Sequence, residues 1–294
     1  MNFENLPLVT VIVPAYNHEK FIEQCIRSIF AQTYSNYEVV VINDGSKDRT
    51  LEILEELNKE FDFNLVNQKN SGCAAALNSA IKNFSNGDFV SICASDDYWD
   101  DSKLSKQVDF MLKHEKIPFC FNKNYFVDEY DRVVEDATRL ANNGLKGGHI
   151  FKDIIFQNFH PLPGYIFRKK VFEDVGLYRE DVWTEDFYMN LRISEKYEIG
   201  FIDEFLSFYR YPTNFNKKLI SRKVSDAHKL CIDQYKESVF YDEAVLRWNY
   251  RNFMMYSGVK EMKYLAVNGM WNSIVYFYKW NYIKSLIRLI LFWK

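Results

Sequence analysis

Phe89-Val-Ser-Ile-Cys-Ala-Ser-Asp-Asp97 is a short apolar run that ends in two adjacent carboxylates. Its length and β-branched content suit a buried strand, and the acids fall where such a strand would stop. The same design occurs twice upstream. Val9-Thr-Val-Ile-Val13 is closed by Pro14 and followed by Ala15, Tyr16 and Asn17, and Tyr37-Glu-Val-Val-Val-Ile42 is closed by Asn43-Asp44-Gly45. A fourth apolar run lies at Phe63-Asn-Leu-Val66, with Asn70 beyond it.

Between these runs the period changes to that of a helix. Phe21, Cys25, Ile26, Ile29 and Phe30 share a face, as do Leu51, Ile53, Leu54 and Leu57, and residues 74–83 continue the pattern. Ser46 or Asp48 could cap the second helix. Strands alternating with helices of this length predict βαβ units and a mostly parallel, Rossmann-like sheet with helices on both faces. Ligands of such sheets bind at the carboxyl ends of the strands. Tyr16-Asn17, Asp44, Asn70 and Asp96-Asp97 all fall at those ends.

Residues 117–215 read as mixed, with short strands near Phe119-Cys-Phe121, Gly164-Tyr-Ile-Phe167 and residues 199–209, and a helix over 185–197. Residues 221–294 read as helical and rich in Trp, Tyr and Phe. The expected division is a catalytic domain over 1–215 and a helical extension over 216–294.

Composition narrows the function. In 294 residues, 48% are hydrophobic and 26% charged, which excludes wholesale disorder. A net charge of -3 gives no reason to expect nucleic acid as a partner. Cys25, Cys73, Cys93, Cys120 and Cys231 are widely spaced without a Cys-x-x-Cys pair, against a zinc site or a disulfide framework and in keeping with a reducing cytosol. Residues 1–7 lack the pattern of a signal peptide, and no apolar stretch of about 18 residues is present to span a bilayer. The expected location is cytoplasmic, with peripheral attachment to the inner face of the membrane. That attachment would use residues 271–294, which combine aromatic and aliphatic side chains with Lys279, Lys284, Arg288 and Lys294 and contain no acid. A basic amphipathic helix of this kind suits a membrane interface, or alternatively packs on the catalytic domain or a partner subunit.

Each polar motif has a plain structural reading beside a chemical one. Two carboxylates leaving a buried strand repel each other, and a divalent cation removes that cost; equally, an acidic loop can open the next helix, with Asp100 and Asp101 capping 103–112. Asn43-Asp-Gly-Ser46 is good turn chemistry anywhere, while an Asp at a strand end can accept from a base N–H or a ribose hydroxyl. In Trp183-Thr-Glu-Asp-Phe187, Thr184 could cap a helix whose first turn holds Glu185 and Asp186, or one of the two carboxylates could serve as a general base. His160 sits in His160-Pro-Leu-Pro-Gly164 and suits loop structure or an acceptor site. Trp99 and Trp183 flank the acidic motifs and could stack on sugar faces or be ordinary core or rim aromatics.

Taken in order, these motifs resemble family 2 glycosyltransferases of the GT-A fold. The matching elements are Val9 to Asn17, Val40 to Asp48, Asn70-Ser-Gly72 with Ala76-Leu-Asn78, Ser95-Asp-Asp97, Val175-Gly-Leu-Tyr178 and Glu185-Asp186, across residues 8–115 and 160–211. The resemblance implies an inverting transferase that moves one sugar from a nucleotide-sugar, usually a UDP-sugar, to a glycan or lipid-linked acceptor of a cell-surface polysaccharide or lipooligosaccharide. It implies that Pro14, Ala15, Tyr16 and Asn17 line the nucleotide pocket, that Asp44 contacts the base, and that Asn70 and Ser71 lie near the nucleotide. Asp96 would contact ribose or donor sugar. Asp97 would ligate Mn²⁺ or Mg²⁺ on the diphosphate, and Asp186 would be the base that deprotonates the acceptor. Trp99, His160, Glu185 and Arg210 would stand around the acceptor or behind these groups.

Two departures from the family pattern matter. The His that often follows a Tyr-Arg pair is missing after Tyr209-Arg210, where Arg210 or Lys217 could stand in, and the Gln-x-x-Arg-Trp signature of processive members is absent. The rival readings are a catalytically impaired nucleotide-sugar-binding or membrane-docking subunit, and a nucleotidyltransferase. The latter would want a Gly-rich basic loop where this chain has Pro-Ala-Tyr-Asn.

Overall fold

The computed structural model describes residues 6–211 and 217–291, with backbone alone at 217–221. Its strands are β1 (Val9–Ala15), β2 (Tyr37–Asp44), β3 (Asn64–Gln68), β4 (Phe89–Ile92), β5 (Tyr98–Trp99), β6 (Phe119–Val127), β7 (Ile166–Arg168) and β8 (Gly200–Arg210). The first four helices are α1 (Ile22–Phe30), α2 (Thr50–Glu60), α3 (Cys73–Asn83) and α4 (Lys103–Lys113). The short α5 (Glu135–Ala141), α6 (Phe151–Ile155) and α7 (Val171–Val175) follow, then α8 (Glu185–Lys196). Last come α9 (Lys217–Ile232), α10 (Tyr241–Tyr256), α11 (Lys263–Asn272) and α12 (Trp280–Leu291).

All eight strands join one sheet in the order β3-β2-β1-β4-β7-β6-β8-β5. The run β3-β2-β1-β4 is parallel, as the strand–helix alternation predicts. β7 lies antiparallel between β4 and β6, β6 pairs parallel with β8, and β5 closes the edge antiparallel to β8. Val9, Val11, Ile12 and Val13 have no exposed surface, because β1 sits between two strands with both faces covered.

Three local expectations change. Pro14 does not end β1, which continues to Ala15 in register with Asn43. The Ile12 carbonyl accepts from Cys93 N–H on the β4 side, and β4 leaves the ladder at that level, so the donor Pro14 lacks has no strand partner to miss. β2 likewise runs on through Asn43 and Asp44. β6 extends six residues past Phe121 because a polar network replaces the apolar signal. Buried Asn122 accepts from Gln107 and donates to Ser207 Oγ, and Asn124 donates to the Pro163 carbonyl.

The chain divides into two compact units. Among the described residues, one comprises 6–151, 159–181 and 188–211, and the other 152–158, 182–187 and 217–291. The boundary expected at 215/216 lies outside the described residues. In the second unit Phe253, Tyr256, Ala266, Tyr276, Tyr282 and Leu289 form a small core. α10 and α11 approach so closely that a Cβ on Gly269 would stand 2.6 Å from the Asn249 carbonyl oxygen, which only glycine allows. Among the described residues, no helix is long and apolar enough to cross a membrane.

Candidate active site

The loops after β1, β2, β3 and β4 gather the polar residues that the sequence places at strand ends. The loop after β3 is pinned to Asp44. Its Oδ1 accepts from Gln68 Nε2 and Ser71 N–H, each at 2.8 Å, and its Oδ2 from Gly72 N–H at 2.8 Å. Asn70 Nδ2 donates to the Asp44 carbonyl at 3.0 Å. Gly45 makes this approach possible: its φ is +69°, and a Cβ there would lie 2.7 Å from Asn70 N. Asp44 is therefore first an organiser of residues 70–72. A carboxylate offers about four lone-pair directions, so with three in use one remains for a ligand donor.

The loop after β1 is sewn to the loop after β2. Asn17 takes a left-handed φ of 55°, receives Lys47 N–H on Oδ1 at 2.7 Å, and gives its own N–H to Ser46 Oγ at 3.1 Å. Asp48, one of the two expected caps of α2, accepts from Thr50 N–H and Glu19 N–H. Asn17 is thus a fastener, whereas the Tyr16 ring stands 40% exposed beside half-buried Pro14 and buried Ala15.

The acidic loop after β4 is held from β8. Arg210 N–H donates to Asp97 Oδ1 at 2.8 Å, and its Nε donates to the Asp96 carbonyl at 2.9 Å. The rest of the guanidinium reaches the Asp128 carbonyl, Gln24 Oε1 and Asp131 Oδ1, and lies over the Phe21 ring. Arg210 is buried, so it does not stand free to replace the missing His. It is a framework residue of this loop. Lys217, the other candidate for that task, has a side chain outside the described residues.

Burial and then the neighbouring Asp96 push the Asp97 carboxyl well above the usual carboxylate range, against the pull of Arg210. Asp96 is half-exposed, and His18 brackets it: Nδ1 lies 2.7 Å from Ser95 Oγ, and Nε2 lies 3.8 Å from Asp96 Oδ2. Sequence reasoning missed His18. A lone His one residue past a loop motif carries no spacing signal that separates it from a surface side chain.

The remaining candidates divide. Asn78 is buried and clamps the Tyr178 main chain from both sides, Nδ2 to the carbonyl at 2.8 Å and Oδ1 from the N–H at 2.9 Å, tying two motifs of the ordered set together. Trp99 is 5% exposed and packs in the core with Lys103 Nζ 3.7 Å from its ring centroid, so its face is not open to a sugar. His160 is half-buried. Thr184 precedes α8, yet its buried hydroxyl makes no hydrogen bond among the described residues, so it does not act there as a side-chain cap. In the same unit Trp183 is exposed, with Lys223 over its ring. Glu185 and Asp186 open α8; burial raises the Asp186 pKa, partly offset by Phe187 N–H donating to its Oδ1.

Among the described residues, no three His, Cys, Asp or Glu side chains gather into a metal cage. Asp97, with Asp96 beside it, offers one or two carboxylates, which is what Mg²⁺ or Mn²⁺ takes when a substrate's phosphates supply the other oxygens. A buried acid pressed toward protonation by a neighbouring acid gains from a nearby cation. These residues fit a divalent ion shared with a diphosphate.

The model of glycosyl transferase family 2 matches residues 10–176. GlyA, a glycosyltransferase of Streptococcus pneumoniae serotype 4, is 45% identical over 180 residues, covering 60% of this chain and 22% of its own length. The glycosyltransferase EpsJ of Bacillus subtilis is 29% identical over 238 residues, 76% of this chain and 67% of its own. A Rickettsia conorii glycosyltransferase is 29% identical over 74% of this chain, which spans only 35% of that relative. Among solved structures, S. aureus TarS 1-349 in complex with UDP-GlcNAc aligns with a TM-score of 0.64 at 20% identity, over 90% of this chain and 80% of its own. The mannosyltransferase PcManGT of Pyrobaculum calidifontis, in complex with GDP-Man and Mn²⁺, aligns with a TM-score of 0.64 at 16% identity, over 97% of this chain and 79% of its own. At these identities the two structures establish the fold.

Proposed function

The chain belongs to glycosyl transferase family 2, and from that premise we propose that it moves one sugar from a nucleotide-sugar, a UDP-sugar in our reading, to a hydroxyl of a glycan or lipid-linked acceptor. The observation that carries the proposal is the Asp96-Asp97 loop at the carboxyl end of β4, with Asp97 buried and fixed from β8 by Arg210. The ligands named for the two structural neighbours, UDP-GlcNAc and GDP-Man, support a nucleotide-sugar as the donor.

In this reading Pro14, Ala15 and the open Tyr16 ring receive the nucleoside. Asp44 offers its remaining lone pair to the base and, through residues 70–72, shapes the floor of the pocket. Asp96 orients ribose or donor sugar, with His18 and Ser95 fixing its position. Asp97 would hold Mn²⁺ or Mg²⁺ together with the donor diphosphate; when bound, the ion neutralises the charge that develops on the leaving group. Asp186 takes the proton of the acceptor hydroxyl, its raised pKa suiting a base. The acceptor oxygen forms its bond to C1 as the C1–O bond to the diphosphate breaks, and the bonding pair leaves with the diphosphate. One displacement inverts the anomeric centre, and no covalent enzyme intermediate is required. The acceptor belongs to cell-surface glycan assembly at the cytoplasmic face of the membrane.

Turnover of a panel of nucleotide-sugars, with Mn²⁺ and with EDTA, tests the proposal. EDTA should abolish transfer to acceptor and hydrolysis of the donor. If no UDP-sugar is bound or turned over with Mn²⁺ present, the reading fails.

A further inference from the structure

We propose that α12 and the turn before it form a face that docks on an anionic lipid surface and lies flat in its interface. This deepens the reading of the acceptor as lipid-linked and membrane-proximal, and rests on it only for its purpose, not for its physics.

α12 is two-sided. Tyr282, Ser285 and Leu289 turn into the small core of the second unit, where Tyr282 stacks edge-on against Phe253 and gives its hydroxyl to the Met270 carbonyl. The opposite side of a helix on a soluble surface is normally polar. Here Ile283, Ile287 and Ile290 follow one another by four and three residues on that side, 37%, 48% and 63% exposed. The turn leading in adds Phe277 and Tyr278, and the helix's first residue is Trp280, each more than 60% exposed. Single exposed apolar residues need no explanation, but a continuous row of them does. Aromatic rings with one polar edge belong at the boundary between headgroups and acyl chains.

Charge decides what covers the row. Lys284 and Arg288 each follow an isoleucine of the stripe by one position, so both flank it on the same side, and both are exposed. No acidic residue occurs anywhere in 271–294. A second copy packed isologously on this face would bring no acid from 271–294 to meet Lys284 and Arg288, leaving both cations uncompensated at the seam. An anionic bilayer instead meets both cations favourably, each contributing about fivefold to binding near such a surface. At 12 residues α12 is about 18 Å long, too short to span the roughly 30 Å hydrocarbon core, so it lies in the interface.

The test uses the full chain with vesicles of phosphatidylcholine alone and of phosphatidylcholine mixed with phosphatidylglycerol, read by co-sedimentation at low and high salt. Binding should favour the mixed vesicles and weaken with salt. Lys284→Gln with Arg288→Gln should lower partitioning onto mixed vesicles on the order of 25-fold. Ile287→Asp with Ile290→Asp should abolish binding to both, and Ile290→Gln alone should weaken it if the double variant folds poorly. Equal binding to both vesicle types, or no binding, overturns the proposal. So does a dimer in gel filtration that the double Asp variant converts to a monomer, because a second copy then covers the face. Donor hydrolysis in solution is measured in parallel. Its absence would count against the transferase reading while leaving vesicle binding intact, and its retention without vesicle binding would count only against the lipid face.

Discussion

Arg210 and Asp97 are joined through the Arg210 main-chain N–H, which donates to Asp97 Oδ1 at 2.8 Å, while the guanidinium of the same Arg210 caps the Asp96 carbonyl at 2.9 Å. The side chain therefore acts on the acidic loop without touching either carboxylate. Replacing Arg210 with Ala would leave the main-chain contact possible but strand the buried carbonyls of Asp96 and Asp128. Each orphaned acceptor costs about 1–3 kcal/mol. We expect urea denaturation to show a loss of about 2–6 kcal/mol, with turnover falling in parallel. Arg210→Lys keeps the charge but cannot reproduce the planar fork, and should fall between the two. An Arg210→Ala protein as stable and as active as the native one would refute this role.

Asp97→Asn separates stability from chemistry. The substitution removes a buried charge that both its surroundings and Asp96 disfavour, so the thermal midpoint should stay level or rise. Turnover should fall on the order of 10²–10³-fold, the usual cost of losing a group that stabilises leaving-group charge. Mn²⁺ with UDP should stabilise the native chain by about 2.7 kcal/mol at a hundredfold excess over Kd, and the Asn variant much less. Equal thermal shifts in the two proteins would move the metal elsewhere.

Why these relationships were only partly legible in the sequence follows from what each depends on. The parallel half of the sheet could be read because Val9 to Val13, Val39 to Ile42 and Phe89 to Ile92 carry their burial in their own side chains. The polar strand ends could be read from position alone. β6 beyond Phe121 could not, since Asn122 and Asn124 are buried polar residues whose partners Gln107, Ser207 and Pro163 are distant in the chain. The two-residue β5 has no period to detect. Arg210 and His18 acquire their tasks from Asp96 and Ser95, 114 and 77 positions away. From its neighbours in sequence Trp99 suits either a sugar platform or an ordinary core aromatic, and it is core, 5% exposed with Lys103 on its face.

Asp44 and Gly45 make a joint prediction about the donor pocket. Gly45→Ala forces a Cβ to within 2.7 Å of Asn70 N at a φ of +69°, so the loops after β2 and β3 must part. Asp44→Ala removes the acceptor of Ser71 and Gly72 N–H and parts them from the other side. Both variants should raise KM for the nucleotide-sugar about tenfold or more, as expected when roughly 1.4 kcal/mol of donor binding is lost. Kinetics with varied donor at saturating acceptor measures this. An unchanged donor KM in both would show that residues 70–72 do not face the nucleotide.

Asp186 carries the prediction on pH. Burial raises its pKa, so the proton leaves at a higher pH than from an ordinary Asp. In its proposed role as base, Asp186 is lost as pH falls through that raised value, and the acid limb of kcat/KM should lie above about 3.9, the value of an unperturbed Asp. Asp186→Asn should lower kcat about 10²–10⁴-fold and remove the limb. A variant that keeps both would assign the proton to another group.

Lys103 supplies a stability test independent of the chemistry. Its side chain is fully buried, with Nζ over the Trp99 ring and hydrogen-bonded to two neutral groups, Gln107 Oε1 at 2.8 Å and Ser91 Oγ at 3.4 Å. Burial pushes its pKa down to about 7. In the unfolded chain the group titrates near 10.4, so between those values the unfolded state holds the extra proton. Stability must then rise with pH from about 7 toward 10, and below 7 the full cost of burying the ammonium is present. Lys103→Met removes this pH-dependent cost. The difference in unfolding free energy, native minus variant, should climb between pH 7 and 9 with a slope approaching about 1.4 kcal/mol per pH unit. The hydrogen bonds lost with the ammonium shift the level of that difference. A flat difference across this range would mean that the group stays charged in the fold, stabilised by Gln107, Ser91 and the Trp99 ring well enough to offset its burial.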